Sequence, residues 1–301
     1  METSKRSPRN SYVRSFARGL SVIRSFTAEF PIQTVSRVAK MTGLDRAGAR
    51  RMLHTLEALG YVQHQGSEYR LTPRVLDLAY IYLSTTALWG IAEPVLRRLA
   101  IAVQEASSAA ILDGTEIVHM AGDSGPRLMT AHVAIGSRLP AYCTSTGRVL
   151  LGGLSEHDLD RTLKASKITK RTRYSVTSIP ELKRIIRREH HRGWSFLNQE
   201  IEEGLCALAV PIVDQSRQII AAINVIGNAS RSRPSTMVSR VLPRLKDAAQ
   251  EINTLLLGKP SSLARPASGT QTQADTTILE DSSSSTTRHQ FVTKTDLFRG
   301  D

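Results

Sequence analysis

Only two cysteines, Cys143 and Cys206, occur in the 301 residues. They cannot staple a chain this long, and neither has the paired-cysteine or histidine spacing of a zinc site. Aromatic residues make up 5% of the chain, and no stretch approaches the 18 uncharged apolar residues of a membrane-spanning helix. The basic N-terminus, Met1 to Arg14, leads into no apolar run with a cleavage site. Acidic residues are also scarce: 27 Asp and Glu face 40 Lys and Arg, a net charge of +13. With 41% apolar residues there is ample material for packed cores, so the expectation is a soluble, cytoplasmic chain of two domains. The positive excess points to a polyanionic partner such as nucleic acid or an anionic membrane surface.

The charge is unevenly placed. Residues 1–75 hold +8 of the +13, and residues 259–301 sum to zero. That last stretch is rich in Ser, Thr, Gln and Asp, including Ser282-Ser283-Ser284-Ser285, and has too little apolar surface to offset the entropy of ordering. Residues 259–301 are therefore read as a disordered tail.

Within residues 12–74, Phe16, Leu20, Ile23 and Phe26 fall at helical spacing and predict an amphipathic helix that Pro31 follows. Thr34 offers an N-cap to a second helix carrying Val35, Val38 and Met41, and Gly43 stops it. Asp45 should cap a third helix in which Ala49, Met52, Leu53 and Leu56 form the buried face. Arg46, Ala47, Arg50, Arg51 and His54 occupy the rest of its surface, and Ala47 and Gly48 keep its first turn slim. After Gly60, Tyr61 to His64 and Glu68 to Leu71 read as strands about the turn Gln65-Gly66-Ser67. This order is a winged helix-turn-helix. A slim helix with basic residues at its start suits a major groove, with the surrounding cations neutralising phosphates. A merely solvated basic face is the plainer alternative.

The run Gly43-Leu44-Asp45-Arg46-Ala47 together with Leu53-His54-Thr55-Leu56-Glu57-Ala58-Leu59-Gly60-Tyr61-Val62 resembles the DNA-binding domain of IclR-type bacterial transcriptional regulators. Ser15-Phe16-Ala17-Arg18-Gly19-Leu20 resembles most the subgroup that controls protocatechuate and 4-hydroxybenzoate catabolism. The resemblance implies that Arg46, Ala47 and Arg50 face bases, while Arg18, Arg51 and the wing meet phosphate or minor groove, with His54 on the same surface. It also implies a homodimer, or a dimer of dimers, on a palindromic double-stranded operator.

Val75 to Leu88 is apolar nearly all round and reads as a connecting helix whose surface must be covered, within a linker over residues 75–90. Over residues 91–258, helices (91–106, 144–151, 156–164, 179–192, 237–257) alternate with strands (109–113, 116–121, 127–133, 194–198, 205–213, 218–227). Strands adjacent in sequence with helices outside them predict an α+β antiparallel sheet, similar to the GAF-like effector domain of the same family.

Two loops carry the remaining signals, residues 136–148 and 200–212. In the first, Thr144, Ser145 and Thr146 place hydroxyls and free amides at a helix start, a seat for a carboxylate; simple capping is the alternative. The resemblance implies an effector pocket lined by Leu128, Leu139, Ser145, Thr146, Leu197, Leu205, Ala207, Asn224 and Ile226. Leu197, Ala207 and Asn224-Val225-Ile226 depart from the acidic, cysteine or serine-rich family pattern, so the pocket should suit a small aromatic acid. Arg138 or Arg148 is available to pair with its carboxylate, or to sit on the surface. Catalysis would need Cys143 paired with His119 or His132, for which no spacing argues. His190-His191 reads as a solvated face, and Glu200, Glu202 and Glu203 lack matched histidine ligands. No phosphate loop of Walker or dinucleotide type occurs, so no cofactor or metal is expected. The reading is a ligand-responsive DNA-binding regulator rather than an enzyme, with a constitutive repressor as the runner-up.

Overall fold

The computed structural model describes residues 12–85, 87–125, 134–230 and 234–257. Leu128, His132, the strand expected at 127–133 and the tail 259–301 lie outside the described residues. The chain divides into two units, Met1–Thr85 and Thr86–Asp301.

In the first unit α1 (Arg14–Arg24), α2 (Val35–Thr42) and α3 (Arg46–Ala58) pack around Val22, Val38, Ala49, Leu53 and Leu56. Local signals set their ends. The Thr34 hydroxyl accepts from Arg37 N at 3.4 Å, Gly43 closes α2 with φ +68°, and Asp45 Oδ1 accepts from Gly48 N at 2.7 Å. α1 turns Val22, Ile23 and Phe26 inward, but Phe16 stays 69% exposed and Leu20 is exposed too. At 100° per residue Phe16 and Leu20 lie about 120° and 160° round the helix from the buried Val22, turned away from the core.

The wing is β2 (Val62–Gln65) and β3 (Glu68–Leu71), whose register Gln65↔Glu68 leaves Gly66-Ser67 as a two-residue turn. A third strand, β1 (Ile32–Thr34), adds to the far side of β3 and was not foreseen. Three residues after a proline carry no alternation to read; partner pairing alone makes them a strand.

The expected helix from Val75 to Leu88 is divided. α4 (Val75–Ser84) ends before Thr85, and α5 (Ala87–Val103) belongs to the second unit. α4 buries none of its residues: Leu76, Tyr80 and Ile81 are all exposed. No single helix among the described residues is long and apolar enough to cross a membrane.

The second unit is α+β. Six antiparallel strands run in the order β6-β5-β4-β9-β8-β7. They are β4 (Ala106–Asp113), β5 (Glu116–Asp123), β6 (Arg138–Pro140), β7 (Ser195–Asn198), β8 (Leu205–Val213) and β9 (Ile219–Asn228). β6 lies where the sequence suggested only loop. α5 packs on one face with α10 (Leu242–Leu257), which follows α9 (Pro234–Thr236) and a π-helical turn (Met237–Val241). α6 (Ser145–Gly152) covers the other, inner face, backed by α7 (Glu156–Ala165) and α8 (Ile179–Arg192).

One substitution tests the cap that starts α3. A Cβ on Gly48 would run into the Asp45 carboxylate. Alanine is the better helix former by roughly 1 kcal/mol, yet Gly48→Ala should destabilise the protein, because it displaces a cap worth about 1 kcal/mol and strains the turn. In an Asp45→Ala background the same change should stabilise. Denaturant unfolding of the full-length protein measures both; equal signs in the two backgrounds would refute the conflict.

Candidate functional site

The exposed side of α3 carries Arg46, Ala47, Arg50, Arg51 and His54. At 100° per residue they span an arc of about 140°, opposite the buried Ala49, Leu53 and Leu56. Among the described residues no carboxylate pairs with Arg46, Arg50 or Arg51. His54 is less free: its Nδ1 lies 3.5 Å from Glu57 Oε2. Glu57 also takes a hydrogen bond from His64 on β2, and that bond, with the lesser pull of His54, holds its carboxyl below the ordinary range. The carboxylate thus ties recognition helix to wing, a link the (i, i+3) spacing of His54 and Glu57 only half disclosed. Arg18 is exposed on α1. On the wing Arg70 donates to Gln65 Oε1 at 3.2 Å.

In the second unit strand register gathers the residues implied for the pocket. Directly opposed residues share a face, and so do residues two apart. Leu197 pairs with Ala207, Ala207 with Ile226, and Asn224 with both Ala209 and Ser108. Leu139 pairs with Ile117. Since Ile117, Ala110, Ala209 and Ala222 pack with Val149, Leu150 and Leu151, this shared face is the inner one under α6. Leu139, Leu205, Ala207 and Ile226 are half-buried there; Leu197 and Asn224 are buried. Asn224 Oδ1 accepts from Ser108 Oγ at 2.6 Å.

α6 opens at the same face. A 3₁₀ turn, Ala141–Cys143, leads to Thr144, whose hydroxyl accepts from Gly147 N at 3.2 Å. Gly147 admits no side chain, because a Cβ would overlap Ala141 and the Thr144 hydroxyl. The next two side chains differ from Thr144: Ser145 is 1% and Thr146 0% exposed, and neither hydroxyl has a partner among the described residues. Capping therefore accounts for Thr144 alone. The first-turn amides of a helix also lack intrahelical acceptors, and they favour an anion.

Both arginines offered for a carboxylate are committed elsewhere. Arg138 is exposed on β6 and ion-paired with Asp113 and Glu116. Arg148 is neither a surface residue nor free. It is 2% exposed, donates through Nη1 and Nη2 to Glu200 at 2.8 and 2.6 Å, and through Nε to Tyr142 O at 3.0 Å. Glu200, which carried no assignment from sequence, is its partner.

The arrangement is unsuited to thiol chemistry. Burial pushes the Cys143 thiol up to about 11 and His119 down to about 4, the reverse of a thiolate–imidazolium pair. Among the described residues no group of three His, Cys, Asp or Glu is placed to hold a metal.

Arginines unpaired among the described residues on a groove-sized helix suit a polyanion, and hydroxyls under α6 without partners among the described residues point to something bound. A chain organised this way is a DNA-binding transcriptional regulator that answers to a ligand. It belongs to the IclR family: residues 15–66 match the IclR helix-turn-helix domain, and residues 80–254 match the bacterial transcriptional regulator IclR C-terminal domain. It is similar to the Pca regulon regulatory protein of Pseudomonas putida, 37% identical over 82% of this chain and 85% of that one. The p-hydroxybenzoate hydroxylase transcriptional activator of Acinetobacter baylyi is 31% identical over 81% of this chain and 92% of its own. Among solved structures, an IclR homologue of Microbacterium hydrocarbonoxydans, complexed with 4-hydroxybenzoate, superposes with a TM-score of 0.73 at 23% identity. That likeness spans 81% of this chain and 100% of the homologue.

The Arg148–Glu200 pair should be costly to break. Arg148→Met or Glu200→Gln leaves a buried charge without its partner, an effect of about 3 to 5 kcal/mol. Replacing both with apolar residues should cost less than the two single losses added together. Denaturant unfolding of the full-length variants checks this; single variants within about 1 kcal/mol of the parent would show the charges to be solvated.

Proposed function

We propose that this regulator controls aromatic-acid catabolism and that its effector is a small aromatic carboxylate, a hydroxybenzoate or a close relative, bound between the start of α6 and the inner sheet face. One observation carries the reading: Ser145 and Thr146 hold buried hydroxyls without partners at a helix N-terminus. A carboxylate satisfies such donors and is favoured by the helix dipole. With Arg138 and Arg148 both committed, hydroxyls, amides and dipole hold the anion in place of a cation. Leu139, Leu197, Leu205, Ala207 and Ile226, with Asn224 among them, offer the ring an apolar bed; Leu128 joins them on the family resemblance. The relatives named for the Pca regulon and for p-hydroxybenzoate hydroxylase, and the homologue complexed with 4-hydroxybenzoate, support this ligand class.

On the DNA side, Arg46, Ala47 and Arg50 address bases, and Arg51 and Arg18 address phosphate. His54, held by Glu57, faces the duplex beside the Glu57–His64 link between helix and wing. The apolar α4, uncovered within its own unit, is closed by a second copy. The result is a homodimer, extendable to a dimer of dimers, on a palindromic site in the cytoplasm. A ligand shifts such an assembly only by binding its arrangements unequally.

Calorimetry with 4-hydroxybenzoate, protocatechuate and β-ketoadipate should register binding of at least one aromatic acid. Ser145→Ala and Thr146→Val should each weaken it about ten- to hundredfold, the scale of a hydrogen bond to a charged group. No heat with any acid would leave a constitutive repressor.

Arg50→Ala should cost about 1 to 3 kcal/mol at the cognate operator if Arg50 reads a base edge. Fluorescence anisotropy against scrambled DNA decides the point, since equal loss on both sequences would make Arg50 a phosphate contact.

A further inference from the structure

The effector reading leaves unused a buried polar group on the inner sheet face. His119, in the middle of β5, is 3% exposed and its Nδ1 has no hydrogen-bond partner among the described residues. Its backbone is fixed on both sides: His119 N donates to Ser137 O at 3.0 Å and its carbonyl accepts from Gly136 N at 2.7 Å. A buried imidazole nitrogen left without a partner costs stability that Phe or Met at the same site would not, so the group calls for an explanation.

Register supplies one. His119 lies two residues from Ile117, on the inner face under α6, and stands opposite Ala110, which stands opposite Ala222. The side chains beside it along that row, Ala110 and Ala222, are single methyl groups. A β-bulge between Ala109 and Ala110 makes this possible, for in the register set by Ala109↔Ala121 the residue facing Ala110 would be Met120. Bulges commonly re-aim one side chain in this way. The one inner face therefore meets polar groups from two directions: the free hydroxyls of Ser145 and Thr146 on α6, and the free nitrogen of His119 on the sheet.

We propose that His119 is a specificity-determining residue that hydrogen-bonds the ring hydroxyl of the effector, so that the site selects hydroxybenzoates over unsubstituted benzoate. The inference rests on the effector reading above and extends it to the second polar end of the ligand. The two ends are not interchangeable. Burial keeps the imidazole uncharged near neutral pH, so it is no counter-ion for a carboxylate. A neutral imidazole nitrogen does suit a phenol, accepting its proton or donating to its oxygen according to tautomer. The carboxylate end belongs to α6 and the hydroxyl end to β5.

Isothermal calorimetry with benzoate, 3-hydroxybenzoate and 4-hydroxybenzoate tests this on the full-length protein and on His119→Phe. The parent should bind the better hydroxybenzoate at least about tenfold more tightly than benzoate. His119→Phe should still bind benzoate and bring that ratio close to one. A ratio unchanged in His119→Phe, even with both affinities reduced, would mean a packing role and overturn the proposal. If His119→Phe melts below the assay temperature, His119→Met carries the same comparison with the same two outcomes. Failure of the parent to bind any of the three acids would instead remove the effector reading, and this inference with it.

Discussion

The second unit depends on the ion pair between Arg148 and Glu200, because it joins two segments that nothing local would bring together. Arg148 lies one turn into α6, while Glu200 sits in the loop after β7. Their bidentate contact excludes water, so neither charge has an alternative partner in solvent, and removing one would leave the other uncompensated. The pair also organises its surroundings. Arg148 Nε holds the carbonyl of Tyr142, and Tyr142 Oη donates to Thr169 O while accepting from Thr169 N. Thr172 and Ser175 donate to the carbonyls of Gln199 and Glu200. The lead-in to α6, the loop before α8 and the loop before β8 are thereby held in one network. The start of α6, with its two free hydroxyls, is the rigid product of that network.

What was legible in the sequence divides along the same line. Thr34, Gly43, Asp45 and Gly66 act on backbone within a few residues of themselves, and each marks the boundary it announced. The strands themselves were legible at 205–213 and 218–227, but that Leu205, Ala207, Asn224 and Ile226 share a face was implied by the family resemblance and follows in the structure from register. Three-residue β1 and β6 were not legible, since they exist only by pairing with β3 and β5. Nor was the fate of Arg148, because a buried arginine is decided by a carboxylate 52 residues away. The break at residues 84–86 is marked in the sequence only by the short polar run Ser84-Thr85-Thr86 between two apolar stretches, and hydrophobicity alone does not say which unit each half will serve.

The two units handle charge in the same way for opposite ends. Cations that hold the structure are paired: Arg148 with Glu200, Arg192 with Glu189, Arg187 with Glu156. Those on the face of α3 are not. Pairing them within the unit would gain little, as exposed ion pairs contribute at most about 1 kcal/mol, and would have to be undone before a phosphate could bind. Glu57 shows the limit of that rule. Its carboxylate is placed on the wing side of α3, where it fixes His54 and His64 to each other and leaves Arg46 and Arg50 free.

Buried donors without partners each cost about 1 to 3 kcal/mol, and Ser145, Thr146 and His119 are three such groups on one face. Folding alone does not recover that energy. On the proposed reading a ligand that satisfies all three would, and the recovered part would appear as stabilisation of whichever arrangement of α6 and β5 fits it. Because the Arg148–Glu200 network makes the start of α6 rigid, small adjustments there cannot be absorbed locally and must be passed to the elements packed on it. On the proposed reading Ser145, Thr146 and His119 are the groups through which an effector would act, and the buried Arg148–Glu200 pair defines the position of the two on α6.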